Sequence, residues 1–217
     1  MNSHQVISIW KDKGITSLDA LRLVKKKLKV DKIGHCGTLD PFAEGILVFC
    51  TGNKTKEIDS FMNYEKEYIA TIFLGEETDT LDLTGKSILK SKKDCNFKQN
   101  IIEQVLKKYS GEIKQIPPYY SALKFHGIRL YDYARKGIYI RKKPRTVRID
   151  KISLLEIDKG NEVTIYVKCT KGTYIRSLAR DIAYDLDTYG HLVKLKRVAV
   201  GPFNESNSLM LGSLWCK

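Results

Sequence analysis

The sequence GHCGTLDPFAEGILVFCTGNKTK, from Gly34 to Lys56, joins a glycine-rich loop directly to an apolar run. Gly34 and Gly37 permit backbone angles that residues with a Cβ avoid, and they let the backbone approach a ligand closely. Asp40 stands at the centre of the loop, and the proline that follows it favours an extended conformation for this aspartate. The run ILVFC, closed by Thr-Gly, predicts a buried strand immediately after the loop.

Two interpretations of Asp40 are open on spacing alone. An Asp-Pro pair is typical of a helix N-cap followed by proline at the first helical position. A carboxylate among glycines is also a candidate for chemistry. The loop matches neither a Walker phosphate loop nor a dinucleotide-binding fingerprint, so no general phosphate motif decides between the two.

The same string resembles the GHxGTLDPxAxGxL motif of the TruB-type pseudouridine synthases, the tRNA pseudouridine-55 synthases. In that family the aspartate of the motif is catalytic, so the resemblance implies that Asp40 is the catalytic residue. The histidine of the motif helps to hold the RNA loop with the target base turned out. The resemblance gives this role to His35.

Composition indicates a folded globular protein. The chain has 217 residues, of which 42% are apolar, and no apolar run approaches the ~20 residues that span a bilayer. The N-terminus lacks a signal-peptide pattern, so we expect a cytoplasmic protein. Neither the four histidines nor the five cysteines show ligand spacing, and the scattered cysteines argue against a disulfide framework and a zinc site. The cysteines are Cys36, Cys50, Cys95, Cys169 and Cys216.

The net charge of +13 and the pI near 9.4 favour a polyanionic partner. A lysine-rich solvated surface would give the same totals. Charge alone does not choose between RNA, DNA and an anionic membrane face.

Periodicity predicts alternating strands and amphipathic helices along the whole chain. We predict strands at 6–10, 66–74, about 147–157, 162–169 and 192–203. We predict helices from Thr16 or Ser17 to about residue 30, at 97–109, and from about 173 to 186. No linker or internal repeat is visible, so the sequence indicates no domain boundary.

Other blocks of the chain extend the resemblance from Lys11 to Phe203. The turn KDKGITS is similar to the family's KPxGxTS, with Lys11 matching and Asp12 in place of the proline. The segment from Lys66 to Gly85 is similar to the KxY…LGxxTDTxDxxG block, which makes Tyr68 the counterpart of the active-site tyrosine. The acidic loop in this block is predicted to be solvated or paired with arginine rather than to bind a metal.

The segment GTYIRSLARD is similar to the family's GTYIRxLxxD. The resemblance implies that Arg176 pairs with Asp40, and that Tyr174 lines the pocket beside the flipped uracil. It also implies that Tyr68 stacks on or near C5 of the base and that Leu195 is the pocket leucine. Lys11 is predicted to contact the substrate.

Segment 115–137 interleaves tyrosines with lysines and arginines and resembles the family's QxPPxxSAxKxxGxxxYxxAR block, and with the basic residues that follow it forms a thumb-like segment of about 115–148. Aromatic rings beside cations suit base stacking and phosphate contact. A mixed helix with tyrosines at the edge of the core is the alternative. We predict that this thumb-like segment binds RNA, with Lys124 and Arg145 among its contacts.

The resemblance implies an α+β fold, a mixed and largely antiparallel sheet flanked by helices, as a single catalytic domain over residues 1–217 without the C-terminal PUA domain. It implies isomerisation of a tRNA uridine to pseudouridine in the T loop, at position 55, by a monomer that needs no metal or cofactor and binds the T-arm stem-loop. A synthase acting on another stem-loop RNA and a non-catalytic RNA-binding or RNA-folding protein are the alternatives.

Overall fold

The computed structural model describes residues 4–93, 95–158 and 161–211; Cys216 lies outside this part of the chain. The five α-helices are α1 Ser17–Leu28, α2 Ile58–Met62, α3 Gln99–Lys107, α4 Leu130–Arg135 and α5 Ile175–Asp185. The strands are β1 Val6–Lys11, β2 Ile33–His35, β3 Glu44–Thr51, β4 Lys66–Leu74, β5 Glu76–Thr78, β6 Ser87–Lys90, β7 Gly111–Gln115, β8 Lys124–Phe125, β9 Ile128–Arg129, β10 Arg145–Ile157, β11 Glu162–Cys169, β12 Gly190–Val200, β13 Phe203–Asn204 and β14 Leu209–Met210.

Ten of these strands form one mixed sheet. Its hydrogen-bonded path runs β14-β1-β3-β12-β4-β11-β10-β7, with β13 beside β12 and β2 beside β3. The pairs β1–β3, β2–β3, β7–β10 and β12–β13 are antiparallel, whereas β1–β14 and β3–β12 are parallel. Two short antiparallel hairpins, β5–β6 and β8–β9, lie outside the sheet. The predicted α+β class is therefore confirmed.

The chain divides into two compact units. Within the described residues, the first unit contains the chain up to Ile69, Lys168–Lys171 and the chain from Lys194 onward. The second unit contains Ala70–Val167 and Gly172–Val193. Strands β4, β11 and β12 each contribute residues to both.

The first unit is built around β3, whose residues from Gly45 to Thr51 are all buried. One face of β3 packs with β1 and α1 through a cluster that includes Leu47, Phe49 and Val24. Its other face forms a second cluster around Ile46 and Val48. An uninterrupted apolar strand is expected where both faces of a sheet are covered.

Helix α1 begins where the sequence predicts. Thr16 is the N-cap: its hydroxyl accepts a hydrogen bond from the backbone N–H of Asp19, and the Asp19 carboxylate accepts one from the Thr16 N–H. This reciprocal pair satisfies two backbone donors that have no partner inside the helix. The helix buries Ala20 and Val24, whereas Leu18 is 49% exposed although it is apolar.

The second unit carries α3, α5 and the long strand β10. Strand β7 pairs with β10 in a register that sets Ile113 opposite Val147. In β11, Val163, Ile165, Val167 and Cys169 are buried, as the alternating pattern predicts. In α5, the apolar residues Ile175, Leu178, Ala179 and Ile182 are buried as well.

Two regions differ from the expectation. The Asp40–Pro41 pair does not cap a helix, because the Ala43 N–H donates to the Asp40 carbonyl at 3.1 Å and the chain turns into β3. Segment 115–137 is not one mixed helix, since it forms the β8–β9 hairpin and only two turns of helix in α4. Among the described residues, no helix is both long enough and apolar enough to cross a membrane.

Candidate active site

Asp40 lies in the loop between β2 and β3, within the first unit. The loop leaves β2 after His35 and enters β3 at Glu44, and Gly37 adopts a positive φ of 107° that favours glycine. The Asp40 side chain is half-buried. The backbone on either side of Asp40 is held by side chains and backbone groups from other elements of the same unit.

Arg197, from β12, holds the loop on the N-terminal side of Asp40. Its Nη2 donates to the carbonyl of Gly37 at 3.3 Å, and its Nη1 donates to the carbonyl of Thr38 at 3.2 Å. Its Nε donates to the Ile46 carbonyl at 2.7 Å. The side chain is only 1% exposed, so these bonds replace hydration that the guanidinium has lost.

Lys11, the last residue of β1, holds the loop on the C-terminal side of Asp40. Its ammonium donates to the carbonyl of Ala43 at 2.7 Å and to that of Pro41 at 3.5 Å. It also donates to the carbonyls of Asp12 and Ile15 at 2.8 and 2.9 Å. The residue is fully buried.

The backbone at positions 39 and 41 also forms hydrogen bonds with the start of α1 and with the turn before it. The Ser17 hydroxyl accepts from the Leu39 N–H and donates to the Leu39 carbonyl, both at 2.9 Å. The Gly14 N–H donates to the Pro41 carbonyl at 2.8 Å. Backbone groups at positions 37, 38, 39, 41 and 43 therefore all have partners outside the loop, and Asp40 stands between them.

Tyr68 belongs to the same unit and is 8% exposed. Burial raises the pKa of its phenol to about 12, and the nearby Asp40 carboxylate adds to this, while the positive charge of Arg197 acts in the opposite direction. Tyr68 is therefore a neutral phenol at pH 7, near the positive charge of the Arg197 guanidinium.

The first unit contains three buried cations, Lys11, Lys66 and Arg197. Burial, with the charge of Arg197 as the second cause, lowers the pKa of both Lys11 and Lys66 to about 8. Lys66 donates to the carbonyls of Met62 and Tyr64. Buried cations of like sign are costly unless paired or fully hydrogen-bonded. Backbone carbonyls accept most of their hydrogen bonds, and the Asp40 carboxylate stabilises the charge of Lys11.

The second unit contains Tyr174 and Arg176. Arg176 is 5% exposed, and its guanidinium donates to the carbonyls of Thr80 at 2.8 Å and Tyr120 at 2.9 Å and lies 3.7 Å from the Asp82 carboxylate. This confirms the prediction that the acidic loop before Gly85 is paired with an arginine. The predicted pairing of Arg176 with Asp40 stays a prediction.

Tyr174 is fixed at its backbone. The Gln115 side chain accepts from the Tyr174 N–H at 2.8 Å and donates to the Tyr174 carbonyl at 3.0 Å. The half-buried ring precedes α5, whose first residues Ile175 and Arg176 are buried. Its predicted position in a substrate pocket is not tested by these contacts.

The thumb-like segment 115–148 displays rings and cations to solvent. Lys124 and Arg145 are exposed, as their predicted role requires. The Tyr119 ring lies 5.0 Å from that of Tyr139, and the Lys142 ammonium sits 3.2 Å from the centre of the Tyr119 ring. Two arginines, Arg129 and Arg135, lie 5.7 and 5.3 Å from the centre of the Tyr131 ring.

The remaining site predictions fall in the first unit. His35 ends β2, and Leu195 is 4% exposed in β12. Lys11 has a buried ammonium bonded to backbone carbonyls, so its predicted contact with the substrate stays a prediction while its hold on the loop is observed.

Sequence reasoning missed Arg197 and Lys66. A signal was present in both cases, because side chains two apart on a strand share a face. Arg197 is two residues from Leu195, and Lys66 is two residues from Tyr68. In each strand the cation therefore points to the same side as a predicted pocket residue.

No group of three or more histidine, cysteine, aspartate or glutamate side chains suitable for a metal ion occurs in the described part of the chain. The Cys36 and Cys50 sulfurs are 3.5 Å apart, and both thiols are buried. Burial raises the pKa of each, which keeps them protonated.

The chain is similar in sequence to a family of known proteins. Residues 25–175 match the model for the TruB family pseudouridylate synthase (N terminal domain). The chain is 44% identical over 210 residues to a Bordetella avium protein named tRNA pseudouridine synthase B, covering 96% of this chain and 86% of the relative. It is 46% identical over 209 residues to the protein of the same name from Clostridium acetobutylicum, covering 96% and 71%.

Two solved structures contain chains that are similar to this chain in fold. A Cbf5-Nop10-Gar1 complex contains a chain that matches with a TM-score of 0.75 and 30% identity, covering 97% of this chain and 53% of that one. The Nop10-Cbf5 complex of an archaeal box H/ACA sRNP matches with a TM-score of 0.70 and 28% identity. The present chain spans about half the length of these structural relatives.

Proposed function

Because the chain belongs to the TruB family of pseudouridylate synthases, we propose that it isomerises a uridine of tRNA to pseudouridine, at position 55 in the T loop. Membership confirms the resemblance of the GHCGTLDP loop to the family motif and the expectation of an isomerase. The tRNA substrate is taken from the names of the relatives. The T-loop position rests on the resemblance of the motifs.

The geometry of the Asp40 loop is the observation that carries the proposal. Side chains and backbone groups of β1, α1 and β12 hold the backbone at positions 37, 38, 39, 41 and 43. A loop with this many fixed points presents one half-buried carboxylate beside a buried phenol. Such preorganisation is what positions a group for reaction, whereas a loop that only connects two strands does not need it.

The reaction is an isomerisation and balances without an external reactant. The C1′–N1 bond breaks and its electron pair leaves with the base. The base rotates, the C1′–C5 bond forms, C5 loses its proton and N1 gains one. An ionised carboxylate serves this sequence by attacking the sugar or base, or by taking a ribose proton, and each route needs Asp40 unprotonated.

Arg176 and Tyr68 complete the proposed chemistry. A guanidinium paired with Asp40 would favour the ionised carboxylate and fix its orientation. The neutral Tyr68 phenol can lie against the base and relay the C5 proton, because it holds its own proton at pH 7. Tyr174, Leu195 and His35 are proposed to line the pocket and hold the extruded nucleotide, whose unstacking costs a few kcal/mol.

RNA binding is assigned to the thumb-like segment. Its exposed cations Lys124 and Arg145, and its tyrosine rings, suit phosphate contact and base stacking. We propose that the enzyme acts as a cytoplasmic monomer on the T-arm stem-loop, with no metal or cofactor in the reaction.

The test is direct formation of pseudouridine. Transcribed tRNA is incubated with the protein, and pseudouridine is mapped by carbodiimide-dependent stops of primer extension. We expect one new stop at position 55 with wild type and a loss of at least about a thousandfold in single-turnover rate with Asp40→Asn, because the amide is nearly isosteric but cannot act as a base or nucleophile.

The control is Asp12→Asn, which removes an exposed carboxylate from the neighbouring turn. It should stay within about threefold of wild type. Turnover by folded Asp40→Asn within tenfold of wild type would contradict the assignment of Asp40. RNA binding without any new stop would favour a non-catalytic RNA-binding or RNA-folding protein. A stop only in another stem-loop RNA would favour a synthase that acts on that RNA instead of tRNA.

A further inference from the structure

The Lys142 ammonium covers an exposed tyrosine ring in the thumb-like segment. It lies 3.2 Å from the centre of the Tyr119 ring, and the Tyr139 ring is centred 5.0 Å from that of Tyr119 at an interplanar angle of 68°. Both rings keep much of their surface in contact with solvent, 42% for Tyr119 and 53% for Tyr139. All three residues belong to the second unit. An exposed ring of this kind is a surface on which a planar group can stack.

Lys142 differs from the cations beside it in the sequence. Lys143 and Arg145 are exposed, whereas Lys142 is half-buried. In the part of the chain that the structure describes, the Tyr119 ring is the partner of its ammonium, with no hydrogen-bond acceptor and no carboxylate. Burial, with the positive charge of Arg180 as the second cause, lowers the pKa of Lys142 to about 8. The ammonium has therefore lost hydration without gaining an acceptor, and an acceptor that comes within reach would stabilise it.

We propose that Tyr119 stacks one unpaired base of the bound RNA, and that Lys142 leaves the ring to contact a phosphate when this base arrives. The ligand is an unpaired nucleotide, whose planar base and charged phosphate match the ring and the ammonium. The inference rests on the proposed function, because it requires an RNA that presents unpaired bases beside a stem. Lys142 thus has two positions, one in the free protein and one in the complex.

The exchange is favourable because each contact that is lost is replaced. A base stacked on tyrosine contributes about as much to binding as a cation above the same ring. The displaced ammonium exchanges the π face of the ring for a phosphate oxygen, with which it forms a charge-assisted hydrogen bond. In the free protein, the same lysine shields one side of an exposed ring from water.

The position of Lys142 is measured by NMR in the full chain labelled with ¹³C-lysine, with its signal assigned through Lys142→Arg. A methylene group above an aromatic ring resonates upfield of other lysines. We therefore expect an upfield Lys142 signal in the free protein, and a signal in the ordinary range in Tyr119→Leu. A saturating RNA stem-loop should also return the signal to the ordinary range. A saturating blunt RNA duplex of the same length offers phosphates without unpaired bases and should leave the signal upfield.

Affinity for the same two RNAs gives the second measurement. Tyr119→Leu should raise the Kd for the stem-loop about tenfold, the loss expected for one stacked base, and should change the Kd for the duplex by less than threefold. The matched control is Tyr184→Leu, which removes a 46% exposed ring from α5, outside the thumb-like segment. It should change neither Kd by more than threefold.

The proposal is overturned if the free protein lacks the upfield signal or if the signal stays upfield in the saturated stem-loop complex. Release of Lys142 by the duplex as well, or equal effects of Tyr119→Leu and Tyr184→Leu on affinity, would show that no base stacks on Tyr119. Formation of pseudouridine without movement of Lys142 would overturn this inference alone. Movement of Lys142 without formation of pseudouridine would overturn the proposed isomerase and support the stacking site.

Discussion

The Asp40 loop of the first unit and the thumb-like segment of the second use the same residue types in opposite ways. Around Asp40, Lys11 and Arg197 are buried, and their donors go to backbone carbonyls of the protein. In segment 115–148, Lys124 and Arg145 are exposed, and other cations of the segment lie against tyrosine rings. The first set positions protein atoms, and the second is available to a ligand.

The difference follows from the cost of removing a cation from water. A buried lysine or arginine must recover several kcal/mol of lost hydration through hydrogen bonds, so its geometry becomes fixed. An exposed cation retains its hydration and its rotamer freedom, which suits contact with phosphates in more than one arrangement. Substitutions in the first set should change folding and rate, whereas substitutions in the second should change RNA binding and its salt dependence.

Gly45→Ala should have the largest effect, because it destabilises the packing of β3 against β12 beside the Asp40 loop. A Cβ at this position would lie 2.2 Å from the Arg197 carbonyl oxygen and 2.7 Å from the Arg197 nitrogen, and the residue has a φ of +121°. Neither backbone can move without separating β3 from β12. We expect the free energy of unfolding to fall by about 4 kcal/mol or more, measured by urea denaturation.

Gly111→Ala is the matched control for that substitution. Gly111 also has a positive φ, +91°, but no atom lies within 4 Å of its added Cβ. The variant therefore suffers backbone strain alone, about 1 kcal/mol. Equal losses in the two variants would show that the close approach of β3 and β12 contributes nothing to stability.

Most of the fold could be predicted because its elements have strong local signals. The Thr16–Asp19 capping box, the apolar run of β3 and the alternation of β11 each specify their structure within a few residues. Segment 115–137 could not be predicted in this way. Its tyrosines are compatible with helices and hairpins alike. Its two prolines indicate only that the chain is not helical at that point.

The site was predictable where a residue belongs to a recognised motif and not where its role depends on long-range geometry. Asp40 and Tyr68 were identified through their motifs. Arg197 reaches residues 151 to 160 positions away in sequence, and the depth at which it lies follows from the packing of β12 beside β3. Lys11 was assigned to substrate contact because the motif gives its identity but not the direction of its ammonium.

Lys11→Met should show, through the pH dependence of stability, what the burial of a cation beside the Asp40 loop costs. Burial places the folded-state pKa of Lys11 at about 8, below the ordinary value of 10.5, so the folded chain loses this proton first as pH rises. Between these values the unfolded chain binds more protons, and the contribution of Lys11 to stability therefore increases with pH, by at most ~1.4 kcal/mol per pH unit. Urea titrations of wild type and Lys11→Met should show the stability of wild type relative to the variant rising by about 2 kcal/mol from pH 8 to pH 10.

Lys13→Met provides the comparison for that series, because Lys13 lies two residues away with a side chain that is 54% exposed. The difference between wild type and Lys13→Met should stay flat over the same pH range. A difference for Lys11→Met that is also flat, or that changes in the opposite direction, would show that the buried ammonium is not the titrating group.

The smallest expected effect belongs to the exposed cations of the thumb-like segment. Replacing Lys124 and Arg145 together by glutamine should raise KM for tRNA about tenfold, a loss of ~1.4 kcal/mol, with kcat and the free energy of unfolding unchanged. Two lost phosphate contacts should also flatten the log–log dependence of affinity on salt by roughly 1.5. The paired control is Lys25→Gln with Lys26→Gln, since both lysines are exposed on α1, outside the thumb-like segment. Equal changes in KM and salt slope for the two pairs would mean that affinity follows net charge alone. A loss of kcat in the thumb pair would mean that this segment, like the Asp40 loop, positions the reacting groups.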